Sequence, residues 1–190
     1  SIFDQEDCRN LLKDLLTRHS ELDKDLIDSL QKTISDWKNA LLDPSQVAKT
    51  AKSTGEQKIA ALYERYQQAL RVYNAVDFDD LIMIPVLLLR QNPQIHKKWQ
   101  HRIRYLLVDE YQDTNLSQYE LVRLLVAEKQ AFTVVGDDDQ SIYAWRGARP
   151  ENLIQLQIDF SALKVIKLEQ NYRSTGRILK AANSLIDNNP

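Results

Sequence analysis

Tyr105-Leu106-Leu107-Val108-Asp109-Glu110-Tyr111-Gln112-Asp113 and, further along, Phe132-Thr133-Val134-Val135-Gly136-Asp137-Asp138-Asp139-Gln140 are built alike. Each is a short apolar run of β type that ends abruptly in carboxylates. Runs that are apolar along their length, rather than alternating, mark parallel strands buried on both faces. The acids then emerge at the C-terminal edge of the sheet, where open α/β folds bind their ligands. The expected fold is therefore α/β, and the expected ligand at that edge is a nucleotide phosphate.

The residues at the two strand ends carry the chemistry. Mg²⁺ is a hard cation that takes one or two carboxylates together with water and phosphate oxygens. Asp109, at the tip of the first strand, suits it. Glu110, the next residue, is placed to orient or deprotonate an attacking water. In the second motif Gly136 lets the chain turn, and Asp137 to Asp139 are too close together all to be buried ion pairs. Gln140 is neutral, with both a donor and an acceptor, and suits a sensor of the terminal phosphate. Tyr143 and Trp145 follow, two residues apart and beside Arg146. Bases stack on such rings for about 1–3 kcal/mol each without any sequence match. A third motif, Leu168-Glu169-Gln170-Asn171-Tyr172-Arg173-Ser174, sits between an expected strand and an expected helix. Arg173 taken alone reads either as a surface ion-pair partner or as an arginine finger, and Tyr172 as a stacking partner for a purine.

The rest of the chain divides by composition. Residues 1–76 read as an all-α block, with apolar positions at three and four spacings, such as Leu26, Ile27, Leu30, Ile34, Trp37 and Leu41. Asp43-Pro44 and Ser53-Thr54-Gly55 break it, and a long helix runs from Glu56 to about Ala75. From Asp77 the character changes. Asp77-Phe78-Asp79-Asp80-Leu81-Ile82 reads as a capped helix start with acids in its first turn. Leu81 to Leu89 reads as a buried helix despite Pro85, and Asn92-Pro93 ends it before a short helix through Trp99. Strands at 105–109, 131–136 and 164–168 then alternate with helices. The first of these, with Ser117 and Glu120 as a capping box, runs to about Ala127. The second opens at Arg149-Pro150-Glu151, and the third is capped by Ser174 and runs to about Asn188. This alternation predicts a parallel sheet flanked by helices.

Composition narrows the class further. The 190 residues are 43% hydrophobic and 27% charged, with a formal net charge of -2. A protein that holds nucleic acid by bulk charge is usually basic, so contact here must be local, through a groove or a stacking platform. A single cysteine, Cys8, excludes an internal disulfide. No apolar run is long enough to span a bilayer. The expected location is the cytoplasm.

Together the three motifs resemble those of the superfamily 1A DNA helicases, the UvrD/Rep/PcrA group, and the wording of 136–150 and 164–173 is most similar to the Rep branch. Asp109 to Asn115 looks like helicase motif II, Val135 to Ala148 like motif III, and Gln170 to Ser174 like motif IV. The resemblance implies that residues 77–190 are part of a RecA-like P-loop NTPase motor domain and that residues 1–76 are its inserted helical subdomain. It implies ATP and Mg²⁺ as cofactors, with Asp109 on the metal, Glu110 as base, and Gln140 on the terminal phosphate. It also implies Tyr172 on adenine, Arg173 on the terminal phosphate, and Tyr143 and Trp145 against single-stranded bases. Arg146 would link that loop to the phosphate site. The implied activity is ATP-driven 3′ to 5′ translocation on single-stranded DNA and unwinding of 3′-tailed or forked duplexes, in replication or repair.

The sequence holds four glycines, and none stands in a Gly-x-x-x-x-Gly-Lys-Ser/Thr phosphate loop. The chain is therefore expected to be an internal fragment of a longer helicase. The contrasting reading is a stand-alone DNA-binding module with a helicase fold and no ATPase activity; a native product near 22.1 kDa would favour it. The isolated chain is expected to hydrolyse Mg²⁺-ATP feebly or not at all, with or without single-stranded DNA. DNA-stimulated turnover that Glu110→Gln abolishes would overturn the fragment reading.

Overall fold

A computed structural model describes residues 1–16, 24–126 and 129–188. These fall into two compact units, one formed by Ser1–Leu106 with Asn115–Phe132, the other by Leu107–Thr114 with the chain from Thr133 onward. Among the described residues no helix is long and apolar enough to cross a membrane.

The first unit is helical. Helices α1 (Gln5–Leu16), α2 (Lys24–Asn39), α3 (Pro44–Thr50) and α4 (Thr54–Val72) pack around Leu11, Leu12, Ile27, Leu30, Ile34, Tyr63, Tyr66 and Leu70. The two breaks expected in this block are helix starts with full capping boxes, Asp43 with Gln46 and Ser53 with Glu56. The ends of α2 and α4 are closed by Leu41 (φ 59) and Asn74 (φ 48) in the left-handed region. There Leu42 N–H reaches Trp37 and Ala75 N–H reaches Leu70, so the last carbonyls are satisfied without glycine. Cys8 lies in this core, and burial pushes its thiol up to about 11, which keeps it protonated and inert at neutral pH. Strands β1 (Ile2–Phe3) and β2 (Val76–Asp77) form a small parallel pair that the sequence pattern did not suggest.

Beneath β2 lies a buried charge cluster. The Lys38 ammonium, on α2, is fully buried and meets Asp77 Oδ2 at 2.6 Å and Asp80 Oδ1 at 2.9 Å. Tyr66 donates its hydroxyl to Asp77 at 2.9 Å, and its ring lies 5.2 Å from the ammonium. The acidic run at 77–80 thus serves mainly to hold Lys38. Helix α5 (Asp80–Gln91) does begin there, but Asp79 at its N-cap makes no capping bond. Burial raises the Asp79 carboxyl, while bonds from Ser35 and Asn39 oppose the shift. Nor is α5 buried all round: Met83, Val86 and Leu89 are covered, while Leu81, Ile84 and Leu88 are exposed. Pro85 lies inside α5, past its first turn, so the Leu81 carbonyl lacks the i→i−4 N–H partner that any other residue there would supply.

Helices α6 (Pro93–Arg102) and α7 (Leu116–Val126) complete this unit. The cap of α7 differs from the expected Ser117 and Glu120. Asn115 and Gln118 form the reciprocal box instead, each side chain bonding the other's backbone N–H at 3.0 Å. Glu120 is engaged elsewhere, with Arg90 at 2.8 Å and Arg123 at 2.7 Å. Ala127, the expected end of this helix, lies outside the described residues.

Strands β3 (Leu106–Val108) and β4 (Phe132–Val134) pair side by side. They are shorter than expected and are not buried on both faces, since Leu107 is 75% exposed. Each has only the other as neighbour among the described residues, and a two-stranded ribbon cannot cover both its faces. In the second unit, α8 (Glu151–Asp159) and α9 (Gly176–Ile186) form as expected, although Thr175 rather than Ser174 is the N-cap residue of α9 and that helix ends before Asn188. Residues 164–168, read as a strand, are irregular, with Val165, Ile166 and Leu168 exposed. β propensity alone does not make a strand where no described strand lies alongside to take up its hydrogen bonds.

Two stability predictions follow from these ion clusters. Lys38→Met leaves two buried carboxylates without a cation and is expected to lower unfolding free energy by about 3–5 kcal/mol in urea titrations. Asp77→Asn and Asp80→Asn added to it should recover much of the loss; a single-variant cost below about 1 kcal/mol would mean the cluster is solvated. For Glu120, burial raises the carboxyl, but Arg123 and Arg90 outweigh it and hold the group below its ordinary 4.5. A depressed carboxyl contributes stability above its unfolded pKa, and that contribution is lost as pH falls through the folded value. Glu120→Gln should therefore be less stable at neutral pH and show a shallower fall in Tm on acidification below about pH 4.5.

Candidate nucleotide and nucleic-acid site

The two acidic strand ends lie together at one edge of the β3–β4 pair. Val135 N–H bonds Val108 C=O, and Tyr111 N–H bonds Val135 C=O, both at 2.9 Å. The pairing thus continues past β3 and fixes the turn that carries Asp109 and Glu110. Glu110 is in the left-handed region, φ 50 and ψ 44. That conformation is strained for a residue with a Cβ, by about 1–3 kcal/mol, and persists only where surroundings over-determine it. Here Asp109 Oδ1 accepts the Glu110 N–H at 2.9 Å, and Tyr111, fully buried, anchors the next residue.

Asp109 and Glu110 are both solvent-exposed. The second Asp109 oxygen meets no protein donor among the described residues. No group of three or more potential metal-binding side chains gathers among them either. A single exposed carboxylate at a strand tip fits the small protein share of a Mg²⁺ shell completed by water and phosphate.

Gln112 joins the two motifs. It is 1% exposed. Its amide donates to Glu110 Oε2 at 2.8 Å and its carbonyl accepts from Asp137 N–H at 3.1 Å. Gln140 in turn donates to Asp137 Oδ2 at 2.6 Å. Glu110, Asp137 and Gln140, singled out from the sequence, are therefore connected, through a residue that sequence reasoning passed over. Its mark in the sequence is slight: one neutral side chain among acids. Thr114 and Asn152 were passed over too. Asn152, buried at the start of α8, donates to Thr114 C=O and Oγ1 at 2.9 and 3.1 Å, and Arg149 N–H bonds the same carbonyl. Motif II is thereby pinned to the far end of the aromatic loop.

That loop makes a tight turn over Ala144–Arg146, closed by Gly147 at φ 84. Trp145 is 66% exposed, and Tyr143 is also open to solvent, their ring centroids 6.5 Å apart. The Arg146 guanidinium lies 4.5 Å from the Trp145 ring and 5.5 Å from the Tyr143 ring. Arg146 therefore braces the two rings as a cation against their faces. Among the described residues it makes no bond to Glu110 or Gln140. Neither Tyr143 nor Trp145 is core packing; both present apolar ring faces with a positive charge beside them, a surface suited to stacked bases and phosphate.

Tyr172 and Arg173 stand on a turn held by local hydrogen bonds. Tyr172 is 87% exposed and Arg173 is exposed as well. Asn171 Oδ1 accepts the N–H groups of Arg173 and Ser174, both at 2.9 Å, which makes a local turn before α9. No hydrogen bond or ion pair among the described residues joins either side chain to Asp109, Glu110 or Gln140.

A profile described as the UvrD/REP helicase N-terminal domain matches residues 1–161. The chain is 60% identical over its whole length to the ATP-dependent DNA helicase Rep of Escherichia coli (strain K12) and covers 28% of that protein. It is 44% identical to the ATP-dependent DNA helicase PcrA of Bacillus subtilis (strain 168), again over its whole length and over 26% of that protein. The chain thus spans little more than a quarter of the relatives it matches. With both acidic strand ends, the connecting loop and the helical block inside the matched region, the chain belongs to the UvrD/REP helicase N-terminal-domain family.

Proposed function

We propose that this chain is part of an ATP-dependent DNA helicase that translocates 3′ to 5′ on single-stranded DNA and opens 3′-tailed or forked duplexes. The observation that carries the reading is the hydrogen-bonded path from Glu110 through Gln112 and Asp137 to Gln140, in the loop that goes on to the exposed rings of Tyr143 and Trp145. The proposed phosphate sensor Gln140 and the base-stacking rings share one short loop, and hydrogen bonds tie that loop to the Glu110 carboxylate, as a motor that converts hydrolysis into a changed grip requires.

In this reading residues 77–190 contribute to a RecA-like motor domain and residues 1–76 are the helical insertion. Asp109 holds Mg²⁺, which supplies charge neutralisation to the phosphates when bound. Glu110 accepts a proton from the attacking water. Gln140 meets the terminal phosphate. Tyr143 and Trp145 stack on bases, and Arg146 braces the two rings and sets a positive charge beside them. Tyr172 and Arg173 take adenine and the terminal phosphate. Their turn is exposed and held only locally, so their part needs the nucleotide to bring them in. The names of the relatives support ATP and DNA as the ligands.

The test uses the full-length protein from which the chain comes. Glu110→Gln is expected to lower DNA-stimulated ATP hydrolysis by about 10²–10⁴-fold. Trp145→Ala removes a stacking face worth about 1–3 kcal/mol, so single-stranded DNA should bind roughly 5- to 150-fold more weakly. DNA-stimulated hydrolysis should fall more steeply than basal hydrolysis. Equal losses in both, or none, would remove the coupling role given to that ring.

A further inference from the structure

We propose that Gln112 is a positioning residue that links the Glu110 carboxylate to the loop bearing Tyr143 and Trp145, so that displacement of the loop is transmitted to the carboxylate. The inference rests on the helicase reading above and adds to it a buried residue that this reading does not use.

The amide of Gln112 has one acceptor and one NH₂ group. Both meet partners of fixed sign. Glu110 presents a carboxylate, which only accepts, at 2.8 Å; Asp137 presents a backbone N–H, which only donates, at 3.1 Å. Turning the amide over would set oxygen against oxygen and N–H against N–H, so the partners themselves fix its orientation. Burial at 1% exposure denies it water as a substitute partner. A buried amide with both ends matched is strongly held, and losing either partner costs the full desolvation of the group left behind.

Gly136 shows how close the link is. A Cβ built there would stand 2.9 Å from Gln112 Oε1 and 3.3 Å from its backbone nitrogen. Any side chain at 136 must push the amide aside, so the glycine serves a close approach of chain to chain. The Glu110 side chain, by contrast, is exposed and long. Gln112 is the one side chain among the described residues that donates to its carboxylate, and therefore the group that restricts where the carboxylate points. Misplacing a reacting group by about 1 Å can cost on the order of 10²-fold in rate. Asp137, at the other end of the link, also accepts from Gln140 at 2.6 Å, so whatever moves Gln140 or the turn behind it pulls on the same backbone.

The experiment measures steady-state ATP hydrolysis by the full-length protein with single-stranded DNA. Gln112→Met keeps the length and removes both hydrogen bonds. Gly136→Ala keeps every polar group and displaces the amide by its methyl. Each is expected to lower kcat at least about tenfold with KM for ATP within about threefold. Because both act on one link, the double variant should be no slower than the slower single variant by more than about threefold. Where Gln112→Met fails to fold, Gln112→Glu replaces it. It keeps the acceptor for Asp137 and sets a second carboxylate against Glu110, and kcat must fall as far. A folded variant with kcat within about twofold of the parent, a loss confined to KM, or multiplicative losses in the double variant overturns the proposal. If the unaltered protein shows no DNA-stimulated hydrolysis, the helicase reading fails; if it does and the variants match it, the Gln112 link alone fails.

Discussion

The site depends on the register between β3 and β4. Two hydrogen bonds, Val135 N–H to Val108 and Tyr111 N–H to Val135, set the end of one strand level with the end of the other. Slip that register by one residue and every side chain exchanges faces. Asp109 and Glu110 would then no longer stand beside Asp137, and Gln112 would have nothing to join. A very short piece of sheet, two strands of three residues each, thus locates the acids of both motifs. What keeps so small a ribbon in register is the chain on either side: buried Tyr111 after β3, and the anchoring of Arg149 and Asn152 on Thr114 beyond the aromatic loop.

Charge is used in two opposite ways. At Lys38, Asp77 and Asp80 it is buried, paired at 2.6 and 2.9 Å and closed off by Tyr66. Such a cluster is costly to dismantle and gives α2, β2 and α5 one relative placement. At Asp109, Glu110 and Asp137 to Asp139 the carboxylates face solvent with little to neutralise them. The same residue type is structural where a cation has been built in and available for chemistry where none has. The run Asp77-Phe78-Asp79-Asp80 and the run Asp137-Asp138-Asp139 look alike in sequence, and only burial separates them.

How much could be read in advance follows the same division between local and distant causes. The starts of α3 and α4 were legible because Asp43 and Ser53 satisfy N–H groups three residues away, within the window that pattern reading sees. The acids and their strands were legible because two apolar runs in one chain each end in carboxylates. The start of α7 misled because Asn115-x-x-Gln118 and Ser117-x-x-Glu120 fit the same pattern, and Glu120 is instead held by Arg123 and by Arg90, the latter thirty residues away. The expected strand at 164–168 failed for a related reason: a strand is a pairing, and pairing is decided by a neighbour. Gln112 was invisible because both its roles are contacts, one of them with a backbone 25 residues on. Arg146 was read in the right loop, but its attachment to two rings rather than to the phosphate edge is again a matter of contact.

The left-handed backbone at Glu110 places the needs of folding and of chemistry in direct conflict at a single position. Judged by stability alone, that φ and ψ call for glycine or asparagine. Selection for a sturdier protein, in the laboratory or over generations, would therefore press against the acid proposed as the site's proton acceptor. Position 110 would look like a defect to any procedure that scores residues by backbone comfort. A Glu at such a position fits a demand that the folded state alone does not make.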